Sequence, residues 1–527
     1  MRARWPELLA LCAGAIGVGW RLLLTWQGTP PTNSDEATLG LAAMHIAEGR
    51  DFPVFFYGQF YMGTIESFLT APLFMVLGPS VFAQRLFTLV CYALFLWLMF
   101  ALSRKLFSPG VALATVVFFA FGADRIVKNE MVGGGGYPEV NTLLAALFLI
   151  GLGLATNAYK RELLAFAGWG VMFGLIVWTH WLAAPYALAA AIALALTRRH
   201  NLPRPAITAT VAGMLVGASP LLWHNLTASL KYNSVSVFLN QNAIGGDSSW
   251  WERLHGGVLI GLPLANGLCP LESCRPWHLW WGPIYLLLLV AGGLVAVRQW
   301  RRIPPDHGPD RAKYIVTVML VAAALLSLLS YLGNPAAAET PTESARYLHY
   351  LLISTPVWIW ALFRLGQGLF GRIGKVAALA IAAGLLTATT SATVALASDA
   401  GSYTTWQQED RDLVVALKVR GVRYVYAGYW TCNRLIFASR EEVICGVVTD
   451  DLRKGLNRYR PYWDAVQEQN QPIPFLVHNT TSLIGPEQAL DASVRRAMTA
   501  SAMRYQVIEI GPYTLYEPEP SLRPGAA

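Results

Sequence analysis

Charge is scarce in this sequence. Of its 527 residues only 14% are charged, against 54% hydrophobic, and the mean hydropathy is +0.41. A soluble domain carries about 25% charged residues, so the chain lacks the polar surface needed to face water on all sides. Cysteine is scarce as well, and its six residues form no CxxC and no Cys/His metal spacing. There is no internal repeat. Secondary transporters favour such repeats, with short outer loops and acids buried at mid-membrane, and the acids here cluster towards one face. Beyond the last apolar run neither a nucleophile–base motif nor a Gly-rich phosphate loop occurs, which argues against a soluble enzyme on a membrane anchor. The net charge of +8 does not point to nucleic acid. The basic residues are not gathered on one amphipathic segment but sit in short groups between apolar runs.

What is present is a series of apolar runs, each near the roughly 20 residues that cross a bilayer. They fall at Leu8–Trp26, Phe82–Phe107, Val111–Val127, Val140–Ala158, Leu163–Trp181, Ala183–Leu196, Ile207–Leu226, Leu279–Val297, Tyr314–Leu332, Leu348–Phe363 and Val376–Ala397. The basic groups Arg2–Arg4, Arg104–Lys105, Lys160–Arg161, Arg198–Arg204, Arg298–Lys313 and Arg364–Lys375 alternate with loops poor in Lys and Arg. About eleven spans place all of these groups on one side, so the N-terminus is expected in the cytoplasm and the C-terminus outside. The first run lacks a small-residue cleavage site and reads as an uncleaved helix.

The fold class expected is an all-α polytopic membrane domain, residues 1–398, with a long first outer loop at 27–81, followed by a small extracytoplasmic α/β domain at 399–527. Within the first loop Phe68–Leu77 is apolar but too short to span, so a helix lying along the interface is expected. In the tail, strand-like runs at Val422–Ala427, Val443–Val447 and Pro474–Val477 alternate with helical stretches at Gln407–Val419 and Glu487–Ala500. Cys269 and Cys274 lie in an outer loop, where a disulfide is expected.

Two adjacent carboxylates stand just beyond the first span, in Thr32-Asn33-Ser34-Asp35-Glu36. Desolvating charge there is expensive, which makes the pair a functional candidate. Ordinary capping is the competing explanation: Ser34 or Asp35 would cap a helix over Ala37–Ala47, with Glu36 in its first turn. The two can hold together. Then follow Phe52-Pro53-Val54-Phe55-Phe56-Tyr57-Gly58-Gln59-Phe60-Tyr61-Met62-Gly63, Leu77-Gly78-Pro79-Ser80 and Ala83-Gln84-Arg85-Leu86.

Over about Asn33–Leu86 these motifs resemble the GT-C glycosyltransferases, in the branch of protein O-mannosyltransferases and lipid A aminoarabinose transferases. The resemblance implies an integral-membrane inverting glycosyltransferase, moving a sugar from a polyprenyl phosphate to an acceptor hydroxyl at the outer membrane face. It makes Asp35 the general base and Glu36 the group that orients it. A second family acid at the start of the fourth span matches Glu139, in Gly136-Tyr137-Pro138-Glu139, with Asp124 and Glu130 as rivals in the same loop. Arg346, in Ala345-Arg346-Tyr347-Leu348, matches an Arg-Tyr pattern that would grip the donor phosphate, against a snorkelling interfacial arginine as the plain alternative. His180, in Trp178-Thr179-His180-Trp181, matches a position where relatives often carry Lys and would donate to the sugar donor, against a place in an aromatic interface as the plain alternative. Tyr57, Gln59, Tyr61 and Tyr137 complete the substrate-binding candidates. A Lys-Pro pair of the aminoarabinose branch is replaced here around Gln59-Phe60, so its charge is missing. The implied partners are a polyprenyl-phosphate sugar, an acceptor lipid, glycan or protein, and the bilayer of the plasma (inner) membrane. The sequence leaves a divalent cation open, with Asp35 and Glu139 as the residues able to share one. The competing function is a non-catalytic membrane protein that binds or translocates a glycan or lipid-linked sugar.

Overall fold

The computed structural model describes residues 5–198, 202–242, 246–271, 273–304, 308–368, 370–479, 487–501 and 504–519. The basic group Arg2–Arg4 lies outside them. Among the described residues nine helices are long and apolar enough to cross a membrane, or up to eleven if each of two bent pairs is one span. The chain is a multi-pass integral membrane protein.

Its elements begin α1 (Trp5–Trp26), α2 (Ser34–Ala47), α3 (Ile65–Leu77), α4 (Val81–Leu106), α5 (Pro109–Ala120), α6 (Asp124–Met131), α7 (Tyr137–Ala155) and α8 (Glu162–Thr179). They continue with α9 (Ala184–Arg198), α10 (Arg204–Gly217), α11 (Ser219–Thr227), α12 (Trp281–Arg302), α13 (Gly308–Leu332), a 3₁₀ segment at Ala345–Ser354, α14 (Thr355–Gly366) and α15 (Gly371–Val419). The tail adds α16 (Tyr429–Ala438), α17 (Arg460–Gln467) and α18 (Gln488–Ala500) around five strands.

Two runs read as single spans are broken. The one read as Val111–Val127 bends by 78° between α5 and α6, and the one read as Ile207–Leu226 bends by 63° between α10 and α11. At the first break Gly122 has φ +101, and a Cβ there would lie 2.8 Å from the Gly267 carbonyl oxygen, so only glycine lets the two backbones meet. At the second, Pro220 opens α11 and ends the helical hydrogen bonding of α10.

The chain divides into two compact units, 1–24 with 60–66 and 85–399, and 25–59 with 67–84 and 400–527. In the helical unit α8 and α10 interlock through paired small residues. A Cβ on Gly213 would come within 2.2 Å of the Ala167 carbonyl oxygen, and one on Gly170 within 2.2 Å of Thr210's. Small residues four apart let helices approach closely where no water drives them together. Arg21, fully buried, donates to the carbonyls of Phe119 and Ala120 at 3.0 Å each, and lies 3.9 Å from the Tyr92 ring centroid. The carbonyl end of α5 thus satisfies a charge that hydrocarbon could not. Cys269 and Cys274 form the expected disulfide.

The second unit holds a five-stranded sheet in the order β2-β1-β3-β5-β4, built from β1 (Tyr424–Ala427), β2 (Ile444–Val447), β3 (Phe475–His478), β4 (Tyr505–Ile510) and β5 (Tyr513–Pro518). β1 runs parallel to β2 and β3, while β5 is antiparallel to β3 and β4. A second disulfide, Cys432–Cys445, ties α16 to β2. The expected helix at Gln407–Val419 is not separate but the end of α15, the helix that also supplies the last span. α2 belongs to this unit and is buried on nearly every side from Ser34 to His45. Its residues Ala37, Leu41 and Met44 share an apolar core with Leu435, Ile436 and Phe437 of α16.

Candidate active site

The capping explanation for the acidic pair is settled by α2 itself. Its N-cap is Asn33, whose side-chain oxygen accepts from the Glu36 amide at 2.9 Å. Ser34 does not cap. Its hydroxyl donates to the Tyr429 carbonyl at 2.6 Å and accepts from the Asn433 amide at 2.8 Å. Asp35 is therefore not consumed by the helix. Its carboxylate takes a hydrogen bond from the Tyr429 hydroxyl at 2.6 Å, and the Arg458 guanidinium stands 3.4 Å away. Arg458 Nε donates to the Tyr429 oxygen at 2.8 Å, and the guanidinium carbon lies 4.7 Å from the Phe56 ring centroid. Burial, and then the Asp35 charge, push the Tyr429 phenol above its ordinary range, so it stays a donor. Glu36, one residue on, is fully buried, and its backbone carbonyl accepts from Gln84 at 3.0 Å.

Tyr57 lies in a second polar group of this unit. Its hydroxyl donates to Asp51 at 2.8 Å and pairs with His45 Nδ1 at 2.7 Å. The other ring nitrogen stands 3.0 Å from Glu441, to which Tyr462 donates at 2.6 Å and which Arg50 also binds. Burial alone would raise the Glu441 carboxyl, but hydrogen bonds from His45, Arg50 and Tyr462 outweigh it and hold it at about 2. Gln59 is half-buried, and its backbone N–H donates to the Phe56 carbonyl at 2.9 Å.

The helical unit carries the remaining candidates. Glu139 sits in the first turn of α7, 4% exposed, and neither carboxylate oxygen has a well-formed hydrogen bond among the described residues. The amides of Gly136 and Glu139 itself are the donors that face it. His180 ends α8 and pairs through Nδ1 with the Tyr350 hydroxyl at 2.5 Å. Because Tyr350 donates onward to the Gly136 carbonyl at 3.0 Å, the proton between them belongs on His180 Nδ1. Tyr137 is buried with its ring against His180 and Tyr350, and Tyr61 packs against Trp181 and Phe238. Arg346 is half-buried in the 3₁₀ segment, near enough for its charge to bear on His180. Three turns of 3₁₀ geometry are unusual in length and often mark function, and this stretch delivers Arg346, His349 and Tyr350 together.

Glu139, His180, Tyr137 and Arg346 are thus neighbours, while Asp35, Glu36 and Tyr57 belong to the other unit. Of the rival acids, Glu130 is fully buried and accepts from Asn141 at 2.6 Å and His349 at 2.8 Å; Asp124 ion-pairs with Arg125 at 3.3 Å. Sequence reading missed Arg458, Glu441, His349 and Tyr350, since nothing local marks them and only the fold brings them in. The Tyr429 hydroxyl, which no local pattern marks either, serves Asp35. Among the described residues the only converging trio of potential metal ligands is Cys269, Cys274 and His278, and the disulfide removes both thiolates.

Residues 65–224 match the family described as dolichyl-phosphate-mannose-protein mannosyltransferase. No curated relative matches the chain by sequence. Its fold is similar to ArnT from Cupriavidus metallidurans bound to undecaprenyl phosphate, with TM-score 0.61 and 13% identity over 98% of this chain and 98% of that one. The apo form of that ArnT is similar at TM-score 0.55 and 14% identity, covering 92% and 93%. The apo oligosaccharyltransferase of Archaeoglobus fulgidus is similar at TM-score 0.54 and 12% identity, covering 90% of this chain and 70% of that one. The resemblance read on Asn33–Leu86 is borne out at the level of the fold: the mannosyltransferase family model matches residues 65–224, and the chain shares the membrane glycosyltransferase fold of ArnT.

Proposed function

We propose that the protein is an inverting glycosyltransferase that moves a sugar from a polyprenyl-phosphate donor to an acceptor hydroxyl at the outer face of the plasma membrane. The N-terminus lies in the cytoplasm and residues 399–527 lie outside. In the reaction Asp35 takes the proton of the acceptor hydroxyl as its oxygen attacks the anomeric carbon. The bond from that carbon to the phosphate oxygen breaks, and the electron pair leaves on the polyprenyl phosphate. A single displacement opposite the leaving group inverts the anomeric centre. Arg346 pairs with the donor phosphate, and Glu139, His180, Tyr61 and Tyr137 take up the sugar and its linkage; Tyr57 and Gln59 support the Asp35 side.

The observation that supports this reading most is the state of Asp35. A carboxylate at a helix start, freed from capping by Asn33 and held by a tyrosine and an arginine, supports its reading as the general base. Glu139 adds to it, because a buried carboxylate without a well-formed partner is costly unless function retains it.

The test is to incubate the purified protein with undecaprenyl phosphate carrying different sugars, in membranes that supply native acceptors, and to identify products by mass spectrometry. Transfer from one donor, releasing undecaprenyl phosphate, is expected. Tight donor binding with no release from any of them would favour a binding or translocating protein.

A further inference from the structure

We propose that the C-terminal domain works in the reaction through Arg458 and Tyr429, which fix the Asp35 carboxylate so that one of its oxygens faces the acceptor. The inference rests on the reading of Asp35 as the base and adds residues that no sequence motif marks.

Both side-chain hydrogen bonds to the Asp35 carboxylate end on the same oxygen. Tyr429 donates to Oδ1 at 2.6 Å and Arg458 Nη2 to Oδ1 at 3.4 Å, while Oδ2 accepts none among the described residues. The Asp35 side chain is 17% exposed and that of Arg458 is 9%. A base needs one oxygen available to the substrate and the group held still about its χ angles, and this arrangement gives both. Arg458 is itself fixed. Nε donates to the Tyr429 oxygen at 2.8 Å, and its flat face covers Phe56. That leaves the Tyr429 hydroxyl only one donor direction, towards Asp35. The guanidinium fork thus orients the phenol and pairs with the carboxylate at once, a geometry an ammonium cannot copy.

The same loop is gripped a second time, through His45 and Arg50 on Glu441. Residues 25–59 and 400–527 accordingly fall into one compact unit. A domain needed only for solubility would have no reason to reach Asp35 with two side chains. Arg458 and Tyr429 are positioning residues, since they act through Asp35.

Kinetics of Arg458→Gln, Tyr429→Phe and Asp35→Asn, alone and combined, test this with the undecaprenyl-phosphate sugar that the wild type uses. Arg458→Gln and Tyr429→Phe are expected to lower kcat tenfold or more, towards the roughly 10²-fold that a small misplacement costs, with the donor KM within about twofold of wild type. Tyr429→Phe removes one hydroxyl and should keep the thermal unfolding midpoint, so it reports even if Arg458→Gln folds poorly. Added to Asp35→Asn, either change should cost nothing further in kcat, because the group they position is gone. Wild-type kcat in Tyr429→Phe, or losses that multiply with that of Asp35→Asn, would overturn the inference while leaving Asp35 as the base. Near wild-type turnover by Asp35→Asn itself would overturn the underlying reading, and the inference with it.

Discussion

At the scale of single residues, a buried charge is costly unless a partner offsets the cost. Asp35→Asn keeps size and removes the base, so transfer should fall by roughly 10²–10⁴-fold while undecaprenyl phosphate still binds. Arg346→Ala should do the reverse: a charge that pairs with the phosphate in the ground state is lost, so binding of undecaprenyl phosphate should weaken before the chemical step suffers. Titration of both variants with undecaprenyl phosphate, beside turnover, separates the two roles. Equal binding by wild type and Arg346→Ala would return that residue to a snorkelling interfacial arginine. Asp35 could be found in the sequence because an acidic pair next to an apolar run is rare and costly. Arg458 and Glu441 could not, since an arginine or glutamate in a polar tail is ordinary until the fold buries it.

The elements show the same division between local and distant causes. The short apolar run read as an interfacial helix is α3, 13 residues long, with Pro72 inside it. Strands β1 to β3 were legible as short apolar runs set between helical stretches. The bends between α5 and α6 and between α10 and α11 were not, because hydropathy is continuous across a glycine or proline that breaks the backbone. Nor does hydropathy mark where α15 leaves the membrane, because its helix continues into the polar residues. The contact of α8 with α10 gives a direct prediction. Gly213→Val would drive a side chain into the Ala167 backbone, so it should lower the thermal unfolding midpoint strongly, beyond the 1–3 kcal/mol or so of ordinary overpacking. Gly168→Ala, on a position with open space, should leave it unchanged. Glu441 supplies a second prediction, in pH. Its folded carboxyl is depressed to about 2, so its stabilisation is present above the unfolded value of about 4.3 and is lost as pH falls towards 2. Wild-type midpoints should therefore drop between those limits more steeply than those of Glu441→Gln. Parallel curves would mean that His45 and Arg50 hold the loop without it.

For the whole molecule, composition and the spacing of apolar runs were enough for the class, because a chain this poor in charge has no other way to satisfy its surface. Orientation rests on the alternation of basic loops. Protease added to intact spheroplasts should therefore remove the tail beyond about Ser402 and spare the helical core; protection of the tail would reverse the topology. The central claim is the displacement itself, carried by Asp35. Its most direct test is the anomeric configuration of the product formed from the accepted undecaprenyl-phosphate sugar, measured by NMR for the wild type and, over longer incubation, for Asp35→Asn. The account predicts a product of inverted configuration, made by the wild type and at least about 10²-fold more slowly by Asp35→Asn. A product of retained configuration, or one made equally fast without the Asp35 carboxylate, would contradict it.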